Sequence, residues 1–302
     1  MFSESLTVVW TRGEGCSELT EALAPDVAVR AKDDLAKACI DARADLLVVK
    51  GLSSFGLVSA AMPHDFVPDQ IGSITAAVGG GPHSLMAGWV ARRLGKTLGV
   101  EAEMVCAFRR EDERVAAEAT VKEVAAEVAD LPFRVAHVPS AGKLVEQLGP
   151  ESLLVVGAPG GSWLQRQFFG PGARLKAKAP GGVVVVHMAP VRAFQRMGEP
   201  NWVSSRLRAA DARLLMTQPV TPVAEEGKMV GIVRLTTVRG APDGALVTEL
   251  MEDPLFVEVG EPVEEASSLV AFFEGAPIPV VDDHGRLLGS LHPEDVGPPG
   301  DR

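Results

Sequence analysis

Short apolar runs punctuate the first two thirds of the chain at regular intervals, each followed by a stretch of helical period. Residues 6–10 (LTVVW), 27–31 (VAVRA) and 45–50 (DLLVVK) read as strands, with a helix over 33–45 that puts Leu35, Ala36, Cys39 and Ile40 on one face. From residue 73 the alternation is cleaner. Ser73–Val78 predicts a strand, Gly79–Gly81 a tight turn, and Pro82 or Ser84 the start of a helix to about Leu98, as proline is tolerated in a first helical turn. Strands follow at 101–108, 133–138, 153–156 and 183–186, with helices at 114–129 and 142–148 between them. Strand and helix in alternation predict an α/β fold with a mostly parallel sheet.

After a proline-containing linker at 190–201 the pattern changes and then occurs twice. The first copy reads Trp202–Val203, a helix over 206–218 with Leu207, Ala210, Leu214 and Leu215 as its apolar side, Pro219–Val223, an acidic turn at 225–227 and a strand at 229–233. The second reads 255–259, a helix over 263–274, 276–281, a turn at 282–285 and a strand at 287–291. Asp283-His284-Gly285 is a hairpin signal.

Length and charge narrow the function. A chain of 302 residues exceeds one comfortable core and suits two domains or three small ones. The formal net charge of −11 opposes phosphate, which argues against nucleic acid as the main partner. Three scattered cysteines (Cys16, Cys39, Cys106) without a CxxC pair read as reduced, buried thiols of a cytoplasmic protein. The start MFSESLTVVW lacks the basic and apolar regions of a signal peptide, and runs such as VVVVHMA are too short to span a bilayer.

Two glycine loops carry the candidate chemistry. Gly79 and Gly80 follow one strand. Gly157, Gly160, Gly161, Ser162 and Gly170 follow another, with two residues between Gly157 and Gly160 and nine between Gly160 and Gly170. Glycine admits positive φ and close backbone approach, and N–H groups gathered at a helix start favour an anion. This Gly-x2-Gly-x9-Gly spacing resembles the nucleotide loop of the universal stress protein family. The resemblance implies an adenine nucleotide alpha hydrolase-like domain over residues 71–189 that binds an adenine nucleotide, ATP or AMP. Two departures bear on that expectation: Pro171 stands where the family has a hydroxyl, and Gly79 where it has an aspartate. Losing such an acceptor costs a ligand about 1–3 kcal/mol, with Ser162 or the backbone around Gly160–Gly161 as the substitute. The glycines could equally preserve turn geometry alone. ADLLVVKGLSSFG and ESLLVVGAPGGSW look alike, so residues 1–70 read as a shortened, degenerate repeat or as another buried strand of similar composition.

The duplicated C-terminal pattern resembles a tandem pair of CBS modules, α+β units with clefts for adenosine-containing ligands, at 202–247 and 248–298. The family's ligand stretch after the last strand ends in an aspartate. The first copy, Gly231-Ile232-Val233-Arg234-Leu235-Thr236-Thr237, replaces it with Thr237; the second, Gly289-Ser290-Leu291-His292-Pro293-Glu294-Asp295, keeps Asp295. Arg234 reads as a phosphate contact or a solvated strand-end charge. No HExxH, GxSxG or paired histidine spacing is present, Asp282 and Asp283 suit a surface turn, and Gly95-Lys96-Thr97 lacks the earlier glycine of a phosphate loop. The expectation is a cytoplasmic, non-enzymatic regulatory protein that senses adenine nucleotides in a stress response, a homodimer with a further protein partner. The alternative is a ligand-free dimerisation scaffold.

Overall fold

Among the described residues of the N-terminal unit, nine strands form one sheet in the order β2-β1-β3-β4-β9-β8-β5-β6-β7. They are β1 (Thr7–Trp10), β2 (Val27–Arg30), β3 (Leu46–Val48), β4 (Ser59–His64), β5 (Ser73–Val78), β6 (Glu101–Phe108), β7 (Phe133–His137), β8 (Ser152–Gly157) and β9 (Val183–His187). The computed structural model describes residues 5–51, 56–158, 179 and 181–296. The chain divides into two units, Phe2–Ala189 and Pro190–Arg302.

Every neighbouring pair in the large sheet is parallel except β4 and β9, which run antiparallel with Ala61 opposite Val186 and Met62 opposite Val185. From this seam outward the order is β4-β3-β1-β2 on one side and β9-β8-β5-β6-β7 on the other. The two halves therefore repeat one winding, with β7 unmatched in the shorter half. The lookalike stretches around β3 and β8 occupy equivalent places in it, and residues 5–70 and 71–189 share a single sheet.

Helices α1 (Cys16–Ala22), α2 (Leu35–Asp41), α3 (Pro82–Leu98), α4 (Arg114–Glu127) and α5 (Ala141–Glu146) connect the strands. Alternate strand residues, Val8, Leu46, Val48, Ile74, Ala76, Met104, Leu153, Val155, Val184 and Val186, form one core with α1, α3 and α4. The intervening residues, among them Val9, Leu47, Ala77, Val105, Leu154 and Val185, are also buried. The inner strands β3, β4, β9, β8 and β5 are buried on both faces, which explains the apolar runs at β3, β8 and β9, each buried valine contributing roughly 1.5–3 kcal/mol; the outer strands β2 and β7 are largely exposed. Arg93 of α3 joins the halves: its Nε and Nη2 donate to the carbonyls of Leu23 (2.6 Å) and Ala24 (2.8 Å), just past the last turn of α1.

Several expectations are corrected. β4 has no counterpart in the strand pattern, and it places His64 in the sheet. Gly157 is not a loop residue; it is the buried last residue of β8, opposite Val186. Residues 190–201, read as a linker, contain the helix Ala193–Arg196, whose Ala193 and Phe194 are fully buried in the second unit.

The second unit holds two three-stranded sheets of identical design. In the first, β10 (Val203–Ser204) runs parallel to β11 (Val220–Glu225), which pairs antiparallel with β12 (Lys228–Arg234). In the second, β13 (Val257–Glu258), β14 (Ile278–Val281) and β15 (Leu287–Leu291) repeat that arrangement. The helix expected over 206–218 is Ala209–Leu215, and its buried side is Ala209, Ala212 and Met216, whereas Leu214 and Leu215 are 84% and 58% exposed. The helix expected over 263–274 divides into a 3₁₀ turn, Val263–Ala266, and the helix Ser267–Val270.

Candidate functional site

In the longer half of the large sheet, order reverses between β5 and β8, the place where open α/β sheets bind ligands at their carboxyl ends. Gly79–Gly81 leave β5 there. Gly80 and Gly81 take φ of +90° and +76°, and Gly81 precedes Pro82 as the cap of α3. The loop is bonded within itself. The Gly79 N–H donates to Ser84 Oγ (3.0 Å), and the fully buried Ser84 hydroxyl donates to the Gly80 carbonyl (2.9 Å). That satisfies one amide which a phosphate would otherwise need.

Two imidazoles, separated by 104 positions, meet beside this loop. The His83 and His187 rings lie 4.7 Å apart at 36°, and His83 Nδ1 accepts the Met188 N–H at 2.9 Å. An accepting Nδ1 makes Nε2 the protonated nitrogen of a neutral ring. Burial, with His187 adding to it, holds the His83 pKa below the ordinary histidine value. The pair thus clamps the chain leaving β9 to the first turn of α3. Sequence spacing carries no sign of it, since tertiary folding alone makes the contact. Gly160, Gly161, Ser162, Gly170 and Pro171 lie outside the described residues. Among the described residues no group of three or more His, Cys, Asp and Glu side chains could hold a metal ion. No helix among them is long and apolar enough to cross a membrane.

In the second unit the modules exchange segments. Gly198, ahead of β10, bridges Ser290 of β15; Glu252, ahead of β13, bridges Ile232 of β12. Equivalent glycines make both crossings possible. A Cβ on Gly231 would lie 2.6 Å from the Glu252 carbonyl, and one on Gly289 would lie 2.6 Å from the Gly198 carbonyl. Their hairpins also pair, Met229 N–H to the Gly285 carbonyl (2.9 Å) and Leu287 N–H to the Gly227 carbonyl (3.0 Å).

The stretches after β12 and β15 thereby sit at matching positions but differ in chemistry. Arg234 is neither a free phosphate contact nor a solvated charge. Its Nε meets Glu252 Oε1 at 2.9 Å, its Nη1 meets Glu274 Oε1 at 2.5 Å, and its guanidinium lies 4.8 Å over the Phe272 ring. Asp295 is half-buried in the helix Pro293–Val296, its N–H donating to the His292 carbonyl at 2.9 Å, and His292 is exposed. Asp282 Oδ1 accepts from the N–H groups of His284 (2.9 Å) and Arg286 (2.8 Å), a turn role for this carboxylate.

No curated protein matches the chain. Among solved structures it is similar to the soluble part of a magnesium transporter, at 21% identity over 35% of this chain and 45% of that one, with a TM-score of 0.31. A CBS domain pair/ACT domain protein from Thermotoga maritima gives 17% identity over 35% of this chain and 92% of that one, TM-score 0.33. CBSX2 in complex with AMP gives 23% identity over 35% and 92%, TM-score 0.30. Residues 247–296, from the helix Val247–Leu250 through the helix that carries Asp295, match the CBS domain family.

Proposed function

We propose that the protein is a non-catalytic regulator whose second unit binds an adenosine-containing ligand, with AMP, ADP and ATP as the candidates. The observation that carries this reading is the crossed pairing of two equivalent modules through Gly231 and Gly289, one of them lying within the CBS domain match. A cleft shared by two modules couples ligand to their relative arrangement, because affinity that differs between arrangements shifts their populations. The first unit, with its resemblance to universal stress proteins, is then the element that receives or passes on the signal in the cytoplasm. Calorimetry of the full chain with each nucleotide tests the reading, and absence of heat from all three at about 1 mM, a bound on the order of 4 kcal/mol of binding energy, overturns it.

A second reading has its own support. The Gly79 amide bonded to Ser84 and the Arg234 guanidinium held by two carboxylates are polar groups already satisfied within the chain. A ligand-free scaffold, homodimeric or joined to a protein partner, follows from that. Its mark is a melting temperature indifferent to every nucleotide, since a ligand of the native state alone raises apparent stability.

A further inference from the structure

The first unit ends at Ala189 and the second begins at Pro190. Two side chains hold the last backbone amides of the first unit. Ser59 Oγ, at the start of β4, accepts the Ala189 N–H (3.1 Å), and His83 Nδ1 accepts the Met188 N–H (2.9 Å). Beyond the junction, the Val191 carbonyl accepts the Val263 N–H of the second unit (2.9 Å). Pro190, which has no amide hydrogen to donate, is the one residue between these holds. The freedom of the connection therefore depends on whether the Met188 and Ala189 bonds are made.

The two holding groups differ in one respect. A serine hydroxyl accepts at any ordinary pH, whereas His83 accepts only while Nδ1 carries no proton. Ser59 is buried, but His83 and His187 are each partly open to water, so protons reach them. Helix α3, which His83 helps to begin, packs against β5, β6, β8 and β9 and against α1 and α4. Across all of these, His187 of β9 is, among the described residues, the one titratable group that acts on His83, and no carboxylate there compensates a proton. With the rings 4.7 Å apart, a charge on one opposes a charge on the other, so the pair takes up its protons in two separated steps.

We propose that His83 and His187 form a proton-operated catch on the connection between the two units: a proton on His83 Nδ1 releases the Met188 N–H, leaves the connection to the Ser59 bond, and gives the second unit greater freedom in acid. Burial and the His187 ring both delay that proton. The catch is thus closed near neutral pH and opens on the acid side of an ordinary histidine. It acts whatever ligand the second unit takes.

The test is amide hydrogen exchange of the full chain, read by NMR between about pH 7.5 and about pH 5 and divided by the chemical exchange rate at each pH. Protection of the Met188 amide should fall about five- to tenfold across this range, the loss of one hydrogen bond, with Ala189 following and Val184 and Val185 of β9 unchanged. His83→Asn keeps an acceptor that does not titrate, so its Met188 protection should be flat. His187→Phe removes the opposing charge and should move the onset to higher pH. Nitrogen-15 relaxation should show the tumbling of the two units becoming less coupled in acid in the unaltered chain and not in His83→Asn. Flat Met188 protection in the unaltered chain, an equal loss throughout β9, an unmoved onset in His187→Phe, or tumbling indifferent to pH would each overturn the catch.

Discussion

His83 Nδ1 accepts the backbone N–H of Met188, and that single bond ties the end of β9 to the start of α3. An imidazole can accept at this nitrogen only while the nitrogen carries no proton. The ring is partly buried beside His187, and both effects hold its pKa below the unfolded value of about 6.5. As pH falls, the unfolded chain therefore takes up the proton first. The stability present above the unfolded pKa is lost as pH drops toward the folded value. Melting temperatures of the unaltered chain should decline between about pH 7.5 and about pH 5.5 more steeply than those of His83→Asn, whose amide oxygen keeps an acceptor that does not titrate. Parallel curves would show that His83 carries no such linkage.

Gly182 enters β9 with φ of +88°, and a Cβ on it would lie 2.3 Å from the Asp65 carbonyl and 2.8 Å from that of His64. Gly275 has a similar φ of +82°, but a Cβ there would meet nothing within 4 Å. Alanine at Gly275 should cost about 1 kcal/mol from backbone strain alone. Alanine at Gly182 should cost about 3 kcal/mol or more, because the β4 end must also move. Urea denaturation of the two variants separates conformational strain from collision, and equal losses would refute the steric account.

The Thr221 side chain, 1% exposed in β11, buries a hydroxyl oxygen with no hydrogen-bond partner among the described residues. It faces the same side of the strand as Val223 and pairs with Val233, both members of an apolar cluster. Thr221→Val keeps the shape and removes the desolvated hydroxyl. Scanning calorimetry should register a gain of about 1 kcal/mol; a lower melting temperature would mean that the hydroxyl is satisfied in solution.

All three cysteines are buried, and burial pushes the thiol of Cys39 up to about 12, that of Cys106 up to about 11, and that of Cys16 upward. Thiolate is the reactive form. The folded protein should thus react slowly with an aromatic disulfide reagent near pH 8, a value close to the ordinary thiol range, and release all its thiols in denaturant. A fast-reacting cysteine in the native state would contradict this burial.

The inner strands of the longer half were readable because burial on both faces leaves no charged residue to interrupt Ser73–Val78 or Val183–Val186. β4 was hidden for the opposite reason. Ser59-Ala60-Ala61-Met62-Pro63-His64 lacks branched residues and contains a proline, and only β3 and β9 on its two sides make it a strand. The helix Ala209–Leu215 misled because bulk was taken for burial: small Ala209 and Ala212 allow close packing, and the larger Leu214 and Leu215 point outward. Arg234 looked free because its partners lie 18 and 40 positions away, Glu252 brought by the module crossing and Glu274 from the end of another element. The Gly231 and Gly289 stretches were recognisable as motifs, but the difference in what stands around them was not local information.

The antiparallel seam has a bearing on assembly. β4 and β9 are each the last strand of their half, and each satisfies the other's outward row of amides and carbonyls. The chain has in effect spent on itself the edge by which two such halves could have joined as separate molecules. Copies of this protein cannot add a strand at β4 or β9 while these two are paired, and the β4–β9 union is independent of concentration.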